Sequence, residues 1–341
     1  MSRRGWTYAQ SGVDIDSKSK AISTLVAQLA YRRKGRGTMV RAEGQFTGMI
    51  DFGDVLLTLC TDGVGTKLLV AETLGRWDTV GIDCIAMNVN DTIVVGAEPI
   101  AFVDYIAIDR PDEELTSQIG VGLERGAELA NMDIVGGEIA VMPDVVNGVD
   151  ISGTCLGFVP KEKVVNPESI EVGDLIIGLP SSGIHSNGLT LARKIIASEG
   201  VDYSEKPSIL ERTVGEELLL PTEIYVRSVL KLLDACQVKG MVNITGGGLR
   251  NFLRLKRDVR FEIEEPLDPK PIFSYLQDLG SVEDREMYQT FNMGMGFAIV
   301  VSEAESENAL EVLGNDARIA GRVCDGDGVT VPQMNISYLT Y

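Results

Sequence analysis

The spacing of apolar positions predicts that helices and strands alternate along the chain. Ile22, Leu25, Val26 and Leu29 recur on one helical face, which predicts an opening helix with a buried stripe, capped by Asp16. Short apolar, β-favouring runs predict buried strands, the first at 55–60. In the first half we expect further strands at 100–108, 133–135 and 149–159, and helices at 68–74, 84–95 and from 112 onward.

The alternation continues after a break near residue 165. Pro160-Lys161-Glu162-Lys163, followed by Pro167 and Gly173, interrupts the pattern there. We therefore predict an α/β fold of mixed helices and strands in two domains, 1–165 and 166–341. In the second half we expect strands at 174–179, 259–264, 296–301 and 317–323, and helices at 188–199, 222–236, 249–256, 271–290 and 303–313.

The net charge of the chain limits which classes of molecule it is expected to bind. It carries 50 acidic and 31 basic residues, a formal net charge of −19 at pH 7. Because such a surface repels polyphosphate backbones, no nucleic acid is expected as a main partner. A small phosphorylated ligand would need local cations, backbone N–H groups or a metal ion.

Cysteine usage and hydropathy indicate a cytoplasmic protein. The five cysteines are widely spaced without a Cys-x-x-Cys pair, which predicts reduced thiols rather than disulfides or a zinc site. No apolar run approaches the roughly 18 residues of a membrane helix. No apolar segment follows Arg3 and Arg4 as it would in a signal peptide. We therefore expect no membrane partner.

The single histidine, His185, lies in the turn Gly183-Ile184-His185-Ser186-Asn187-Gly188, between a predicted strand and a predicted helix. Backbone N–H groups at the start of a helix favour anions, so this turn is a candidate phosphate site. A solvent-exposed turn histidine is the alternative.

A second glycine-rich turn, Thr61-Asp62-Gly63-Val64-Gly65-Thr66-Lys67, also joins a predicted strand to a helix. Gly63 and Gly65 permit close approach of the backbone to phosphate. Asp62 offers a hard oxygen ligand for magnesium, and Lys67 offers a positive charge for phosphate. An ordinary Asp-Gly turn with a solvated lysine is the alternative.

The helix predicted at 84–95 carries polar groups opposite its apolar stripe. Asn88 and Asp91 share the face away from the core, where they are either solvated or magnesium ligands. Asp83 is placed to cap this helix, which is its ordinary structural role.

Two more glycine runs carry candidate chemistry. Val135-Gly136-Gly137-Glu138 predicts a strand that ends in two glycines and a carboxylate, and ligands gather at such strand ends in α/β sheets. A tight turn with an exposed acid is the alternative. Asn243-Ile244-Thr245-Gly246-Gly247-Gly248 exposes successive N–H groups ahead of a helix, which predicts an anion-binding turn.

Three known binding or catalytic motifs can be excluded in this sequence. Gly183 and Gly188 have the spacing of a phosphate-binding P-loop, but Leu189-Thr190 replaces the required Lys-Ser/Thr. Gly120-Val121-Gly122 falls within a predicted helix, so it is not a dinucleotide-binding fingerprint. No Ser-His-Asp triad can be assigned.

In their order and spacing, these segments resemble the aminoimidazole ribonucleotide synthetases, also called phosphoribosylformylglycinamidine cyclo-ligases, of purine biosynthesis. The resemblance covers nearly the whole chain. The matching motifs are Tyr8 to Asp16, Thr61 to Lys67, Gly81-Ile82-Asp83, Met87 to Asp91, Gly96-Ala97-Glu98-Pro99, Gly136-Gly137-Glu138, Ser181 to Gly188, Pro221-Thr222, Thr245 to Gly248 and Met287 to Asn292.

The resemblance implies a homodimer whose N-terminal domains form a shared β-barrel, with an α/β C-terminal domain packed beside it. It implies that ATP phosphorylates the formamide oxygen of formylglycinamidine ribonucleotide, which becomes a leaving group. The amidine nitrogen then attacks that carbon, phosphate departs and the imidazole ring closes.

The resemblance also implies site residues. Asp62, Lys67 and His185 would be catalytic. Lys67 would stabilise the transferred phosphoryl group, and His185 would contact the substrate phosphate or carry a proton. Mg²⁺ would be held by Asp62, Asp83, Asp91 and Glu138. ATP would be contacted by these carboxylates and by Gly63, Gly65, Thr66, Lys67 and Asn88. The ribose 5-phosphate would be bound by Ser182, Asn187, Thr245, Gly246, Gly247 and Gly248.

Three segments depart from the family pattern. Glu43-Gly44-Gln45-Phe46-Thr47-Gly48 replaces a plainer Gly-Gly-Phe-Gly, and Ile139 stands where threonine is usual. Leu249-Arg250-Asn251 replaces an aromatic residue followed by Glu-Asn.

Related ATP enzymes are the alternatives. Selenophosphate synthetase carries a reactive Cys or selenocysteine ahead of its early glycine-rich loop, whereas Cys60 follows that loop here. The hydrogenase-maturation relative ends in a functional cysteine, unlike Leu339-Thr340-Tyr341. Thiamine-phosphate kinase lacks the opening motif Gly12 to Asp16 together with the full histidine motif. A non-catalytic, nucleotide-sensing dimer on the same scaffold is a further alternative.

Overall fold

The computed structural model describes residues 5–13, 15–40 and 46–340. These residues form a mixed α/β structure with two sheets, which confirms the predicted fold class. One sheet is built from residues before 165 and the other from residues after it. In the described ranges no helix is both long and apolar enough to cross a membrane.

The first sheet has the strand order β1-β2-β3-β6-β4-β5 and is antiparallel except for the β4–β5 pair. Its strands are β1 (Met39–Val40), β2 (Gly48–Phe52), β3 (Val55–Gly63), β4 (Glu98–Ile108), β5 (Asp133–Val141) and β6 (Val149–Pro160). The helices of this half are α1 (Ile15–Ala27), α2 (Leu68–Leu74), α3 (Val80–Ile93) and α4 (Glu113–Ala130).

The second sheet has the order β13-β12-β9-β11-β7-β10-β8 and is antiparallel except for the β12–β9 pair. Its strands are β7 (Leu175–Pro180), β8 (Val238–Asn243), β9 (Arg260–Glu262), β10 (Met295–Val301), β11 (Arg318–Cys324), β12 (Gly328–Val331) and β13 (Ile336–Tyr338). The helices of this half are α5 (Leu189–Ser198), α6 (Val214–Leu218), α7 (Val226–Ala235), α8 (Pro271–Gly280), α9 (Asp284–Thr290) and α10 (Ser306–Leu313).

Helix α3 covers one face of the first sheet and leaves the other face open. Thr58 and Cys60 of β3 are buried on the covered face, whereas Leu59, between them, is 49% exposed. Val103 and Tyr105 of β4 point the same way as Leu59 and are also exposed. We call this surface, with Leu59, Val103, Tyr105 and Glu138, the outer face.

Helices α3 and α4 pack closely through glycines. A Cβ atom built on Gly122 would lie 2.7 Å from Asp78 O and 2.9 Å from Gly81 N. A Cβ atom built on Gly120 would meet nothing within 4 Å. The Gly120-Val121-Gly122 run is therefore a helix-packing feature at its second glycine.

Many predicted elements are confirmed, but several details were wrong. The predicted buried stripe of α1 is exposed, as the 61% exposure of Leu25 shows, and α1 begins at Ile15, one residue before the predicted cap. The side chain of Asp16 lies outside the described part of the chain, as do residues 43–45 of the early glycine loop. The helix predicted at 249–256 is a 3-10 helix, Gly248–Arg254. Strands β1, β2, β8, β12 and β13 and helix α6 were not predicted.

Candidate active site

The two halves of the chain meet along helix α3. Asn90 Nδ2 donates to Glu223 O at 2.7 Å, and Asn90 Oδ1 accepts from Tyr225 N at 3.1 Å. The next residue, Asp91, accepts at Oδ1 from Asn243 Nδ2 at 2.7 Å. Nearly every residue of α3 is buried, Asn88 included, so the solvated alternative for Asn88 was wrong.

Asp62 and Asp91 lie close together at this boundary. Asp62 is on the α3 side of β3, where its Oδ1 accepts from Gly63 N at 2.7 Å. Burial raises the pKa of Asp62, and it raises the pKa of Asp91 to about 7 against the opposing hydrogen bond from Asn243. The charge of Asp62 also raises the pKa of Asp91. Two neighbouring carboxylates, one of which raises the pKa of the other, favour a bound cation.

Asn88 supports this pair from within the helix. It is fully buried, and its Nδ2 donates to Asp62 O at 3.2 Å and to Cys84 O at 2.8 Å. Asn88 thus holds the backbone of Asp62 and is not on a free face.

The glycine-rich turn after β3 is a 3-10 turn, Gly65–Lys67, that leads directly into α2. Gly65 has a φ of +71°, a conformation that suits glycine, and its Cα faces open space. Thr66 Oγ1 lies 2.9 Å from Thr190 Oγ1 of α5. Gly63 is the last residue of β3 rather than part of the turn.

Lys67 is not solvated, and its charge faces a carboxylate. Lys67 Nζ lies 2.8 Å from Asp83 Oδ1, and neither side chain is exposed. Lys67 Nζ also donates to Leu220 O at 2.5 Å. Asp83 lies inside α3, whose N-cap is Thr79, so its predicted role as a cap was wrong. Lys67 Nζ is fully enclosed by these partners, so contact with a phosphate would require it to move, whereas Asp83 Oδ2 is buried without a hydrogen-bond partner in the described part of the chain.

Glu138 lies far from the other predicted metal ligands. The register places Asp62, Gly153, Asp104 and Gly137 in one row across β3, β6, β4 and β5. Glu138, next to Gly137, is therefore about 14 Å from Asp62 and points to the outer face. The prediction that Gly136-Gly137-Glu138 ends a strand was wrong, because all three residues lie within β5.

Asp104 is a residue that the sequence reading missed. It points to the α3 side, and its carboxylate occupies the space that a side chain at residue 137 would need. Burial raises its pKa. The sequence feature that could have identified Asp104 is that it is the single acidic residue within the apolar run 100–108 of β4. Among the described residues, no three His, Cys, Asp or Glu side chains form a group that could hold a metal ion.

His185 is buried rather than exposed. Its backbone adopts a φ of +64°, and its Nε2 accepts from Ser182 N at 3.3 Å and Glu223 N at 3.4 Å. Burial, together with the charge of Lys67, lowers the pKa of His185 to about 3. The imidazole is therefore neutral at physiological pH, which disfavours a role as proton carrier.

The two turns predicted to bind the ribose phosphate lie side by side. A Cβ atom built on Gly246 would lie 3.0 Å from Asn187 Oδ1. Gly247 and Gly248 have φ values of +115° and +53°. Asn251, which was not predicted, donates to Gly248 O at 2.8 Å and to Thr245 O at 3.4 Å and so braces the turn. The hydroxyl of Ser182 donates to Pro221 O at 2.5 Å.

Comparison with known proteins places this arrangement in a family. A family model described as AIR synthase related protein, N-terminal domain, matches residues 44–159, and the corresponding C-terminal model matches residues 171–332. Relatives named phosphoribosylformylglycinamidine cyclo-ligase from Methanosarcina mazei and Methanococcoides burtonii are 47% and 48% identical, over 98% of this chain and 100% of theirs. The chain belongs to the AIR synthase family.

Solved structures show that the AIR synthase fold is shared more widely. The thiamine monophosphate kinase of Aquifex aeolicus has a TM-score of 0.62 at 17% identity, covering 96% of this chain and 99% of its own. A chain of the HypE–HypF complex has a TM-score of 0.65 at 19% identity, covering 94% of this chain and 99% of its own. At below 20% identity, these two similarities concern the fold alone. The cyclo-ligase relatives, in contrast, are similar to this chain in sequence over 98% of its length.

Proposed function

We propose that this chain catalyses the ATP-dependent cyclisation of formylglycinamidine ribonucleotide to 5-aminoimidazole ribonucleotide, with ADP and phosphate as the other products. The observation that carries the proposal is the 47–48% identity to named cyclo-ligases along nearly the whole of both chains. The enzyme is a carbon–nitrogen ligase of purine biosynthesis. Its five cysteines are free, in keeping with a cytoplasmic location.

The reaction needs two phosphorylated molecules held next to each other. The γ-phosphoryl group of ATP moves to the formamide oxygen, which converts a poor leaving group into phosphate. The amidine nitrogen then bonds to the formyl carbon, the carbon–oxygen bond breaks and the nitrogen loses a proton to solvent. The contribution of the protein is mainly to position the reactants and to offset negative charge.

ATP and Mg²⁺ fit the boundary at Asp62 and Asp91. The donor set suits a hard divalent cation, because two neighbouring carboxylates, Asp62 exposed to solvent and Asp91 partly buried, present oxygen ligands at one place. When bound, Mg²⁺ neutralises charge on the phosphates of ATP. Gly65 and Thr66 follow shortly after Asp62 and would offer backbone N–H groups to those phosphates, whereas the N–H of Gly63 is already donated to Asp62 Oδ1.

The ribose 5-phosphate fits the paired turns on the other side of the cleft. Gly246 lies against Asn187, so the two turns adjoin. Gly248 N donates to Thr245 O at 2.9 Å and the Ser182 hydroxyl donates to Pro221 O. The groups that would meet the phosphate are therefore the N–H of Gly247, the amide of Asn187 and the hydroxyl of Thr245. Asn251 keeps the backbone of the glycine turn in one conformation.

The outer face supports the proposal that the active enzyme is a homodimer. It exposes apolar side chains of adjacent strands, including Leu59, Val103 and Tyr105, on one uncovered sheet surface. Exposed apolar patches of this kind mark interaction sites. Two copies joined through this face would enclose a barrel. Glu138 lies on this face, so it would join a metal site only as a contribution to the partner subunit.

The two halves would then have separate tasks. We assign ATP, Mg²⁺ and dimerisation to residues 1–165, and the substrate phosphate to residues 166–341. The break falls between β6, which ends at Pro160, and β7, which begins at Leu175.

A turnover assay tests the proposed function. The purified chain is incubated with formylglycinamidine ribonucleotide, ATP and Mg²⁺, and the aminoimidazole product and ADP are measured together. We expect the two to form in equal amounts and only when the ribonucleotide is present. Tight ATP binding without ADP release would instead indicate a nucleotide sensor, and ADP formation with thiamine phosphate would indicate a kinase.

A further inference from the structure

A buried set of polar side chains joins the two halves of the chain beside the phosphate turns. Asp83 Oδ1 accepts from Lys67 Nζ at 2.8 Å and from Ser186 Oγ at 3.1 Å. It also accepts from Thr222 twice, from the backbone N at 2.7 Å and from Oγ1 at 2.6 Å. We call Lys67, Asp83, Ser186 and Thr222 the clasp.

The clasp crosses the boundary between the halves. Lys67 follows β3 and Asp83 lies in α3, whereas Ser186 and Thr222 belong to the loops before α5 and α7. Lys67 Nζ adds a bond to Leu220 O in the same second loop. Three segments that are distant in sequence are thus held by one carboxylate oxygen.

Because the clasp is buried, it fixes the relative positions of the segments it joins rather than adding to the free energy of unfolding. The side chains of Lys67 and Asp83 are completely buried. Removing two charges from water is so unfavourable that a buried ion pair adds little net stability over apolar residues of the same shape. What such a pair can provide is one fixed arrangement of its donors and acceptors, because an unpaired charge there is strongly disfavoured.

The clasp reaches the phosphate turn through neighbouring hydrogen bonds. Ser186 is itself part of the turn 182–188. Ser182 is tied to Pro221 through its hydroxyl, and His185 Nε2 accepts from the backbone of both Ser182 and Glu223. The turn 182–188 and the segment 220–223 are therefore joined to each other and, through Asp83, to α3.

We propose that Lys67 and Asp83 are positioning residues, which hold the turn 182–188 where it receives the ribose phosphate, and that neither contacts a ligand itself. The identity of that ligand rests on the proposed function. The joining of the turn 182–188 and the segment 220–223 to α3 by the clasp does not.

Hydrogen exchange tests, without any substrate, whether the clasp holds these segments in place. The double variant Lys67→Met/Asp83→Asn removes the ion pair while keeping side-chain size. We expect amide exchange to become at least about tenfold faster in 182–188 and 220–223 and to stay unchanged in β7 and β10, since loss of local bonds raises local opening. The control is Lys161→Met/Asp51→Asn, which removes a half-exposed pair of 2.7 Å within the first half.

Kinetics of the same variants test the consequence for the ligand. If the clasp positions the phosphate turn, the KM for the ribonucleotide rises by about tenfold to a hundredfold, while the KM for ATP stays within about twofold. Asp83→Asn alone and Lys67→Met alone are each expected to be more damaging than the double variant. The reason is that each single change leaves one buried charge without its partner, whereas the double change removes both charges.

Specific outcomes would overturn the proposal. Exchange that is unchanged, or faster everywhere including β10, would show that the clasp does not hold this turn in particular. Equal loss of affinity for ATP and ribonucleotide would show that Lys67 or Asp83 contacts ATP directly. An inactive wild-type protein with locally faster exchange in the double variant would reject the proposed function and leave the tie intact.

Discussion

Asp62 and Asp91 are neighbouring carboxylates, the first exposed to solvent and the second partly buried, and this environment decides their chemistry. Burial makes the charged form of each unfavourable in the absence of a cation. A bound divalent ion reverses this preference because it pairs with both carboxylates. Binding of Mg²⁺ by these residues would therefore release protons near neutral pH, since the pKa of Asp91 is about 7.

The first prediction concerns Asp62. We expect Asp62→Asn to reduce turnover with Mg²⁺ and ATP by at least about a hundredfold while the fold is kept, because the amide lacks the charge that a divalent cation requires. Steady-state kinetics and circular dichroism measure the two parts. Asp54→Asn, at an exposed turn of the same sheet, is the control. Unchanged activity of Asp62→Asn would remove this residue from the metal site.

The second prediction concerns the pH dependence of stability. The pKa of His185 is lowered from an ordinary 6.5 to about 3 in the folded state. Between these values the unfolded chain binds a proton that the folded chain does not, so stability falls as the pH falls below about 6.5. From this group alone we expect a loss of about 2 kcal/mol between pH 7 and pH 5.

Urea unfolding of the wild type and of His185→Gln at both pH values measures this loss. Glutamine has no titrating group, so the difference between wild type and variant isolates the histidine from the carboxylates. The prediction fails if both proteins lose the same free energy of unfolding on acidification.

Sequence reasoning found which residues gather but not always what they do. The family resemblance implied that Asn187 and Gly246 share one phosphate site, and the structure brings these two residues together. The burial of Lys67 could not be predicted, because its partner Asp83 lies 16 residues away and the enclosing loop comes from residues 220–222. Local pattern carries no information on which distant loop covers a charge.

At the scale of elements, the close packing of α3 on α4 depends on where glycines fall. Gly122 faces the backbone of α3 and Gly120 faces solvent, although both lie in the same helix. Helices whose backbones approach this closely cannot accept even a methyl group between them.

The third prediction follows from this difference. We expect Gly122→Ala to lower the free energy of unfolding by about 1–3 kcal/mol, because the added methyl group forces the two helices apart. Gly120→Ala should raise it by roughly 0.5–1 kcal/mol, since alanine is the better helix former at an open position. Chemical unfolding of both variants measures the effect, and a stabilised Gly122→Ala would contradict the packing described.

Helices and strands were predicted best where the apolar residues of a segment followed a single spacing, either that of a helix or that of a strand. Helix α2 was placed correctly at 68–74, and α4 begins after Asp112, whose side chain accepts from Leu115 N at 3.0 Å. The apolar run 55–60 was predicted to be a buried strand, but Leu59 on the outer face is 49% exposed. An apolar run in the sequence does not reveal which of its side chains face solvent.

At the scale of the whole molecule, the outer face leads to the fourth prediction. We expect Leu59→Lys to convert the dimer into a monomer, because it places a charge at the centre of the apolar surface. Analytical ultracentrifugation measures the mass. Ile209→Lys, at a half-exposed apolar position of the other half, is the control. A monomeric wild type, or a dimeric Leu59→Lys, would exclude this face as the interface.

The solitary imidazole also has a practical consequence. Because the chain contains one histidine, a magnetic resonance spectrum of its ring protons holds a single set of signals, and no assignment is needed to interpret it. The ring touches the backbone of Ser182 and Glu223, so those signals report directly on both loops. Titrating either reactant into protein isotopically labelled at histidine alone, while following that one imidazole, would reveal when these loops rearrange.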